Sequence, residues 1–232
     1  MFLPRRPRFD STTVLLAGLW LAAAAAFVIM AAFAEEHTRF AGDLWISRHV
    51  QGIDSSLFAG SADVAEAMAS APYVVALIAG PIILLWYFHH RREAALMLVV
   101  PFGWTVNAVV KRLVDRPRPS DLLVSVSGHS GDASFPSGHM IVATLAFAMI
   151  FYYSAVLIRR VWVRTVMQVF SVYGVIFTGI ARIYHGVHWA SDVYGSLLLA
   201  GVLLAVVIAM HSRTRVESSG VRWSVEEQEW TA

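Results

Sequence analysis

Ala181-Arg182-Ile183-Tyr184-His185-Gly186-Val187-His188-Trp189-Ala190-Ser191-Asp192 sets a guanidinium (Arg182), an imidazole (His188) and a carboxylate (Asp192) in a short polar gap between two apolar runs, residues 166–180 and 193–210. Ionisable groups at a membrane boundary cost free energy and persist where they have a task. If a helix begins at His188, the i, i+4 spacing puts the His188 ring and the Asp192 carboxylate on one face within hydrogen-bond reach. That pairing is a base with its orienter.

The surrounding composition says what kind of chain carries this gap. The 232 residues are 57% hydrophobic and only 15% charged, too apolar for an ordinary soluble domain, so a membrane class comes first. The net charge is only +2, and the basic residues cluster between apolar runs instead of forming a stripe through a polar region. Nucleic-acid binding is thereby excluded. The absence of cysteine removes disulfides and thiolate metal sites. Lys111 is the one lysine among the 18 basic residues, which suggests a position that calls for an ammonium.

Apolar runs at 14–34, 71–88, 94–110, 140–158, 166–180 and 193–210 predict six membrane spans, since about 20 residues cross the hydrocarbon core. For the first run the rival reading is a signal peptide ending at Ala32-Phe33-Ala34. Its 21 residues exceed the roughly 7–15 of a signal core, which favours a retained helix. Pro101, Gly103 and Asn107 inside the third span are tolerated where neighbouring helices satisfy the backbone; Asn107 reads as functional or as inter-helix glue. Between spans one and two, residues 35–70 are mixed. Ile46, Val50, Ile53 and Leu57 recur at helical spacing and predict a short amphipathic helix in the interface, either a packed connector or a lid. Residues 111–138, rich in Ser, Gly, Asp and Pro, must lie at one surface. The predicted architecture is therefore all-α: a six-span membrane domain over 1–215, and a disordered cytoplasmic tail over 216–232.

Arginine placement orients the bundle, because cytoplasmic loops accumulate Lys and Arg. Arg5, Arg6, Arg8, Arg91, Arg92, Arg159, Arg160, Arg164, Arg213, Arg215 and Arg222 mark one side as cytoplasmic. The other basic residues, Arg39, Arg48, Lys111, Arg112, Arg116, Arg118 and Arg182, fall on the opposite side. Five of these seven lie in the two loops that hold the reactive residues, so chemistry accounts for their exception to the rule.

In this layout three segments meet at the outer face. Lys111-Arg112-Leu113-Val114-Asp115-Arg116-Pro117-Arg118-Pro119 brings cations on a proline-stiffened backbone. Pro136-Ser137-Gly138-His139 reads as a helix start, with a preset φ at proline and a glycine that lets a ligand approach. Its backbone N–H groups favour an anion, and Ser137 adds a hydroxyl. The third segment is the stretch quoted first. Cations, an anion-binding helix end, two imidazoles and a carboxylate suit phosphoryl transfer.

Lys111 followed after six residues by Arg118-Pro119, then Pro136-Ser137-Gly138-His139, then Arg182 followed after five residues by His188 and after three more by Asp192, resembles the three-part signature of the type 2 phosphatidic acid phosphatase superfamily. The motif region covers 111–192, and the spans extend the resemblance to most of the chain. Ala181 departs from it, standing where many members carry serine. The resemblance implies a membrane phosphatase that hydrolyses a lipid phosphate or diphosphate, undecaprenyl pyrophosphate first, through a phosphohistidine at the extracytoplasmic face. It implies His188 as nucleophile, Asp192 as its orienter and His139 as the acid that protonates the leaving oxygen and then activates water. Lys111, Arg118, Arg182, Ser137 and the Gly138 N–H are implied as phosphate ligands. No metal and no cofactor are expected.

Other readings stand beside these. Phosphatidylglycerophosphate, phosphatidic acid or lipid A phosphate could be the substrate, an acceptor lipid could replace water, and a non-enzymatic lipid transporter would use the polar groups as a path. His185, His188 and Asp192, at i, i+3 and i+7, could ligate a metal. His185, Tyr184 and Trp189 read as interface or mouth residues, and Arg112 and Arg116 as contacts to headgroups or substrate. Asp115, Asp121 and Asp132 read as turn or capping residues, and His129 carries no role. The expected setting is a bacterial inner membrane with both termini cytoplasmic, membrane lipids as surroundings, and no protein partner.

Overall fold

The computed structural model describes residues 11–68, 70–127 and 132–230, with side chains as far as Arg213. His129 lies outside these residues. In chain order the helices are α1 (Ser11–Glu36), α2 (Asp43–Gln51), α3 (Ser56–Ala67), α4 (Ala71–Tyr87), α5 (Arg91–Leu96), α6 (Val99–Val114), α7 (Gly138–Leu157), α8 (Val161–Tyr184) and α9 (Ala190–Trp230). No strand occurs among the described residues. Five runs are long and apolar enough to cross a membrane, with α5 and α6 counted as one. A sixth arises when α3 and α4, bent by 72° at their junction, are taken together. Large apolar side chains such as Leu15, Leu19, Ile83, Trp86, Val166 and Phe170 face outward, which a bilayer accepts and water would not.

α7 is the central post, packed against α4, α6, α8 and α9. Its Ile141, Leu145 and Met149 join Met97 and Val100 from the α5–α6 run and Leu199 and Ala200 of α9 in the main core. Around this post, α1 is a strap laid on α9 and α6. The Trp20 indole donates to the Val202 carbonyl at 3.0 Å, and Phe27 stacks on Phe135 with ring centroids 6.0 Å apart. Phe135, fully buried, fits because residue 195 of α9 has no side chain: a Cβ there would lie 2.6 Å from Phe135 Cζ. The loop that begins α7 is thereby keyed into α9.

One expectation changes. The stripe Ile46, Val50, Ile53 and Leu57 does not lie on one helix. α2 stops at Gly52, and Ser55 starts α3 by accepting from the Phe58 N–H, so a serine cap wins over the apolar period. Ile46 and Val50 pack on Met140, Ile183 and Val193, whereas Ile53 and Leu57 are 42% and 80% exposed. At the other end, α9 runs on as backbone helix to Trp230. That stretch contains no proline to stop it.

Two substitutions on α9 test the keyed contact. Gly195→Ala drives a methyl into the buried Phe135 ring and should cost about 1–3 kcal/mol, read as a lower Tm in detergent. Gly201→Ala, with no atom within 4 Å of its Cβ, should leave Tm unchanged or slightly raised. Equal behaviour of the two would refute the packing described.

Candidate active site

The second imidazole-bearing loop is short and tightly tied. α8 ends at Tyr184, His185 caps it, and Gly186 turns the chain with φ +64°, a conformation that favours glycine. A Cβ at 186 would also strike the Ser125 carbonyl. The N–H groups of Val187 and His188 both return to the Arg182 carbonyl at 3.2 Å. α9 then starts at Ala190, and the Asp192 carboxylate reaches back to accept from the Trp189 N–H at 2.8 Å, as an acidic residue in the first turn does.

His188 and Asp192 are 2% and 0% exposed, with Asp192 Oδ2 3.5 Å from His188 Nδ1. On the far side of the ring, Nε2 stands 3.2 Å from Arg118 Nη1. A guanidinium only donates, so Nε2 is the acceptor and the ring proton sits on Nδ1, facing Asp192. Burial pushes His188 down to about 4 against the opposing pull of Asp192, and the nearby Arg118 and Arg182 add to the fall. The ring is thus neutral, with its free lone pair aimed at the cations.

Two of the three cations stand at helix ends, and the third, Arg118, lies in the loop that follows α6. Lys111 is in the last turn of α6, which closes on Asp115 in the left-handed conformation at φ 41°, in keeping with a capping role for that residue. Lys111 Nζ donates to Asp132 Oδ2 at 2.5 Å and to the Ala133 carbonyl at 2.7 Å. Arg118 donates to Asp132 Oδ1 at 2.6 Å, to the Asp132 carbonyl at 3.0 Å and to the Val187 carbonyl at 2.5 Å. Arg182, from the end of α8, pairs with Glu66 of α3 and stands 3.1 Å from His139 Nδ1. Asp132 is therefore no mere turn residue. Although burial opposes it, the bonds from Lys111 and Arg118 hold its carboxyl well below the usual carboxylate range.

Ser137 occupies the N-cap position of α7 without a side-chain capping bond and is fully buried, with its Oγ unpaired among the described residues. Its N–H donates to Ser196 Oγ at 2.8 Å, and Ser196 Oγ in turn donates to the Asp192 carbonyl at 2.7 Å. That bond chain joins the start of α7 to the start of α9. At Gly138 a Cβ would lie 2.8 Å from Asn107 Nδ2, so Asn107 of α6 packs closely on the start of α7, with its Oδ1 unpaired among the described residues. His139 meets the Trp104 ring edge-on at 5.9 Å and lines a cavity of about 340 Å³. Most of the other lining, including Val64 and Met68 of the α3 end, Leu77 of α4 and Phe170 and Phe177 of α8, is apolar, with Ser61 and Thr178 among the polar exceptions.

The ligation alternative for His185, His188 and Asp192 is not realised. His185 turns away, with Nδ1 2.7 Å from Ser127 Oγ and Nε2 3.5 Å from Asp63, because α8 ends before it and α9 begins after His188. Among the described residues no three His, Cys, Asp or Glu side chains are grouped to hold a metal. Tyr184 packs edge-on against Phe58 of α3 at 5.4 Å, and Trp189 is buried.

Residues 92–215 match the model of the PAP2 superfamily. The chain belongs to that superfamily. It is 34% identical over 119 residues to phosphatidylglycerophosphatase B of Bacillus subtilis strain 168, covering 49% of this chain and 55% of that protein. It is 30% identical over 109 residues to YbjG of Escherichia coli strain K12, whose name proposes an undecaprenyl-diphosphatase, covering 46% of this chain and 49% of that protein. The matches thus span about half the length of these relatives. In fold it is similar to the crystal structure of a transmembrane PAP2-type phosphatidylglycerolphosphate phosphatase from Bacillus subtilis: TM-score 0.68, 22% identity, 84% of this chain and 96% of the other. LpxE of Aquifex aeolicus follows with TM-score 0.54, 21% identity, and 73% and 96% coverage. The protein is accordingly a multi-span membrane member of the superfamily.

This PAP2 chain holds one buried charge that the sequence reading misplaced. Arg116, expected at headgroups or substrate, is 1% exposed. It donates to Asp192 Oδ1 at 2.5 Å, to Asp43 Oδ2 at 3.0 Å and to Ser191 Oγ at 2.8 Å, with its guanidinium 4.6 Å above the Phe40 ring. Asp43 of α2, also buried, further accepts from the Ser191 N–H at 2.9 Å, and Ser134 donates to Asp192 Oδ2, the oxygen that also accepts from the Trp189 N–H. The signal for Arg116 was its place one residue before Pro117, and nothing in a sequence names Asp43 as its partner. Arg116→Ala would strand two buried carboxylates, at a cost of about 3–5 kcal/mol. The expected result is a large fall in Tm or loss of folded protein in detergent, and Arg112→Ala, at an exposed position, should show neither.

Proposed function

We propose that this PAP2 member is a lipid phosphatase that removes the terminal phosphate of a membrane lipid phosphate or diphosphate through a phosphohistidine on His188, with no metal. The observation that carries the reading is the neutral His188 Nε2 lying 3.2 Å from Arg118, in a cluster of cations that borders an apolar cavity lined by His139. The cavity takes the lipid chain near the leaving oxygen, and the cluster takes the phosphoryl oxygens.

The reaction follows from the roles. The Nε2 lone pair attacks phosphorus, and the bond to the lipid oxygen breaks as His139 gives that oxygen a proton. A doubly charged phosphate beside His139 favours the imidazolium this step needs. Asp192 stabilises the charge that develops on His188 as the P–N bond forms. Water then gives its proton to His139 and its oxygen to phosphorus, the P–N bond breaks, and inorganic phosphate leaves with His188 neutral again. Lys111, Arg118, Arg182, Ser137 Oγ and the Gly138 N–H hold the equatorial oxygens, where charge is spread in the transition state. Arginines stay charged at every working pH.

Undecaprenyl pyrophosphate is the substrate we favour, in a bacterial inner membrane with the site extracytoplasmic, as the arginine distribution supports. Phosphatidylglycerophosphate is the second reading, favoured by the name of the Bacillus subtilis relative. Phosphate release from a panel of lipid phosphates, with a chelator present and no acceptor lipid, decides between them and against a transferase. His188→Ala should abolish release, and Asp192→Asn should lower kcat by ~10²-fold or more. Release undiminished in His188→Ala overturns the assignment.

The pH profile gives an independent check. A nucleophile lowered to about 4 loses its lone pair only when pH falls through that value, so the acid limb of kcat/KM from His188 should lie well below 6.5. An acid limb near 6.5 that persists when every histidine except His139 and His188 is replaced would show His188 to be solvated instead.

A further inference from the structure

The site contains two kinds of ion pair. Arg116 with Asp43 and Asp192 is buried on both sides, the side chains at most 3% exposed. The pairs on the cradle are lopsided. Lys111, Arg118 and Arg182 are 12%, 16% and 5% exposed, while their carboxylate partners Asp132 and Glu66 are 57% and 38% exposed. The cations thus form the floor and the carboxylates the cover. Asp132 bridges Lys111 and Arg118 with one oxygen on each, the geometry a phosphoryl group would adopt. Glu66 fills Arg182 from the last turn of α3, the helix whose Val64 and Met68 end walls the apolar cavity.

We propose that Asp132 and Glu66 are displaceable internal anions that set specificity: they occupy the cradle between turnovers and yield only to a ligand of higher charge. This rests on the phosphatase reading for its substrate, a phosphomonoester or diphosphate. Such a group carries about two charges at neutral pH and can replace both carboxylates on the three cations. A membrane phosphodiester headgroup carries one, and exchanging two carboxylates for it leaves cations underpaired in a partly desolvated site, which is costly. Surrounding phospholipids are thereby kept out of a site that opens among them. Displacing Glu66 also frees one tie between α3 and the end of α8, while Asp63 with His185 at 3.5 Å and Phe58 against Tyr184 remain.

An internal competitor weakens apparent affinity by the fraction of time the site is open. With the cradle open about a tenth of the time, Glu66→Gln and Asp132→Asn should each lower KM for a short-chain lipid phosphate by roughly three- to ten-fold. The same variants should lower the inhibition constant of phosphatidylglycerol, a singly charged phosphodiester, by a larger factor. Asp54→Asn, at an exposed position between α2 and α3, is the control and should change neither. The second readout needs no turnover: inorganic phosphate binding to the full protein in detergent, measured by calorimetry, should tighten in both variants. Unchanged or weaker phosphate binding with a raised KM would show the carboxylates to be structural and overturn the proposal. Tighter phosphate binding in a protein that hydrolyses no lipid phosphate would instead sustain the proposal and sink the phosphatase reading.

Discussion

Arg116 has no exposure to water, and a bare guanidinium at the edge of a bilayer is not tolerable, so its two carboxylate partners are a condition of folding. Those partners come from α2 and α9, and Arg116 itself follows α6. One buried charge therefore joins three segments that the chain separates by more than seventy residues on either side. With both oxygens of Asp192 committed to Arg116, Ser134 and Trp189, the carboxylate cannot rotate, and its position beside His188 Nδ1 is imposed from outside the pair. Buried networks of this kind add specificity only when every member is satisfied. Here Asp43 supplies what Asp192 alone could not.

The membrane solves a different part of the problem. A bilayer gives no hydrophobic reward for helix association, so the helices meet where small residues let side chains interlock, as at Gly195 against Phe135, and where polar atoms find partners, as between Trp20 and Val202. The helix ends then carry the proposed phosphate ligands. Lys111 and Arg182 lie in the last turns of α6 and α8, and Ser137 occupies the N-cap position of α7. Rigid apolar spans fix these ends, while the loops between them need only be short enough to hold the reactive groups together.

Local patterns in the sequence carry the spans and the three motifs well, because a run of apolar residues or a fixed spacing is a property of neighbours. Span limits differ from the helices mainly at the ends: the run at 166–180 becomes Val161–Tyr184, since Arg164 and Arg182 can extend into polar surroundings while their backbone stays helical. What sequence could not reach is pairing at a distance. Asp43, Glu66 and Asp132 each resemble ordinary surface carboxylates when read alone, and their meaning comes from the buried cation each one faces. The apolar period through Ile46 to Leu57 misled for a related reason. Periodicity records which side chains avoid water, and the break at Gly52–Ser55 sends its two halves to different neighbours.

The same distinction explains how a cluster of cations is neutralised within the fold. Three mutually repelling charges with little exposure would raise one another's cost if left bare, and a site built only of cations would be open to any anion in its surroundings. Carboxylates drawn from a loop and a short helix neutralise them without fixing them, because each sits on the solvent side of its pair. Arg116 shows the alternative, in which the carboxylates enclose the cation and nothing can exchange. The proposed phosphatase needs the first arrangement where the phosphate would land and the second where His188 is held, and Arg118 and Arg116, two residues apart in sequence, carry those two kinds of pairing.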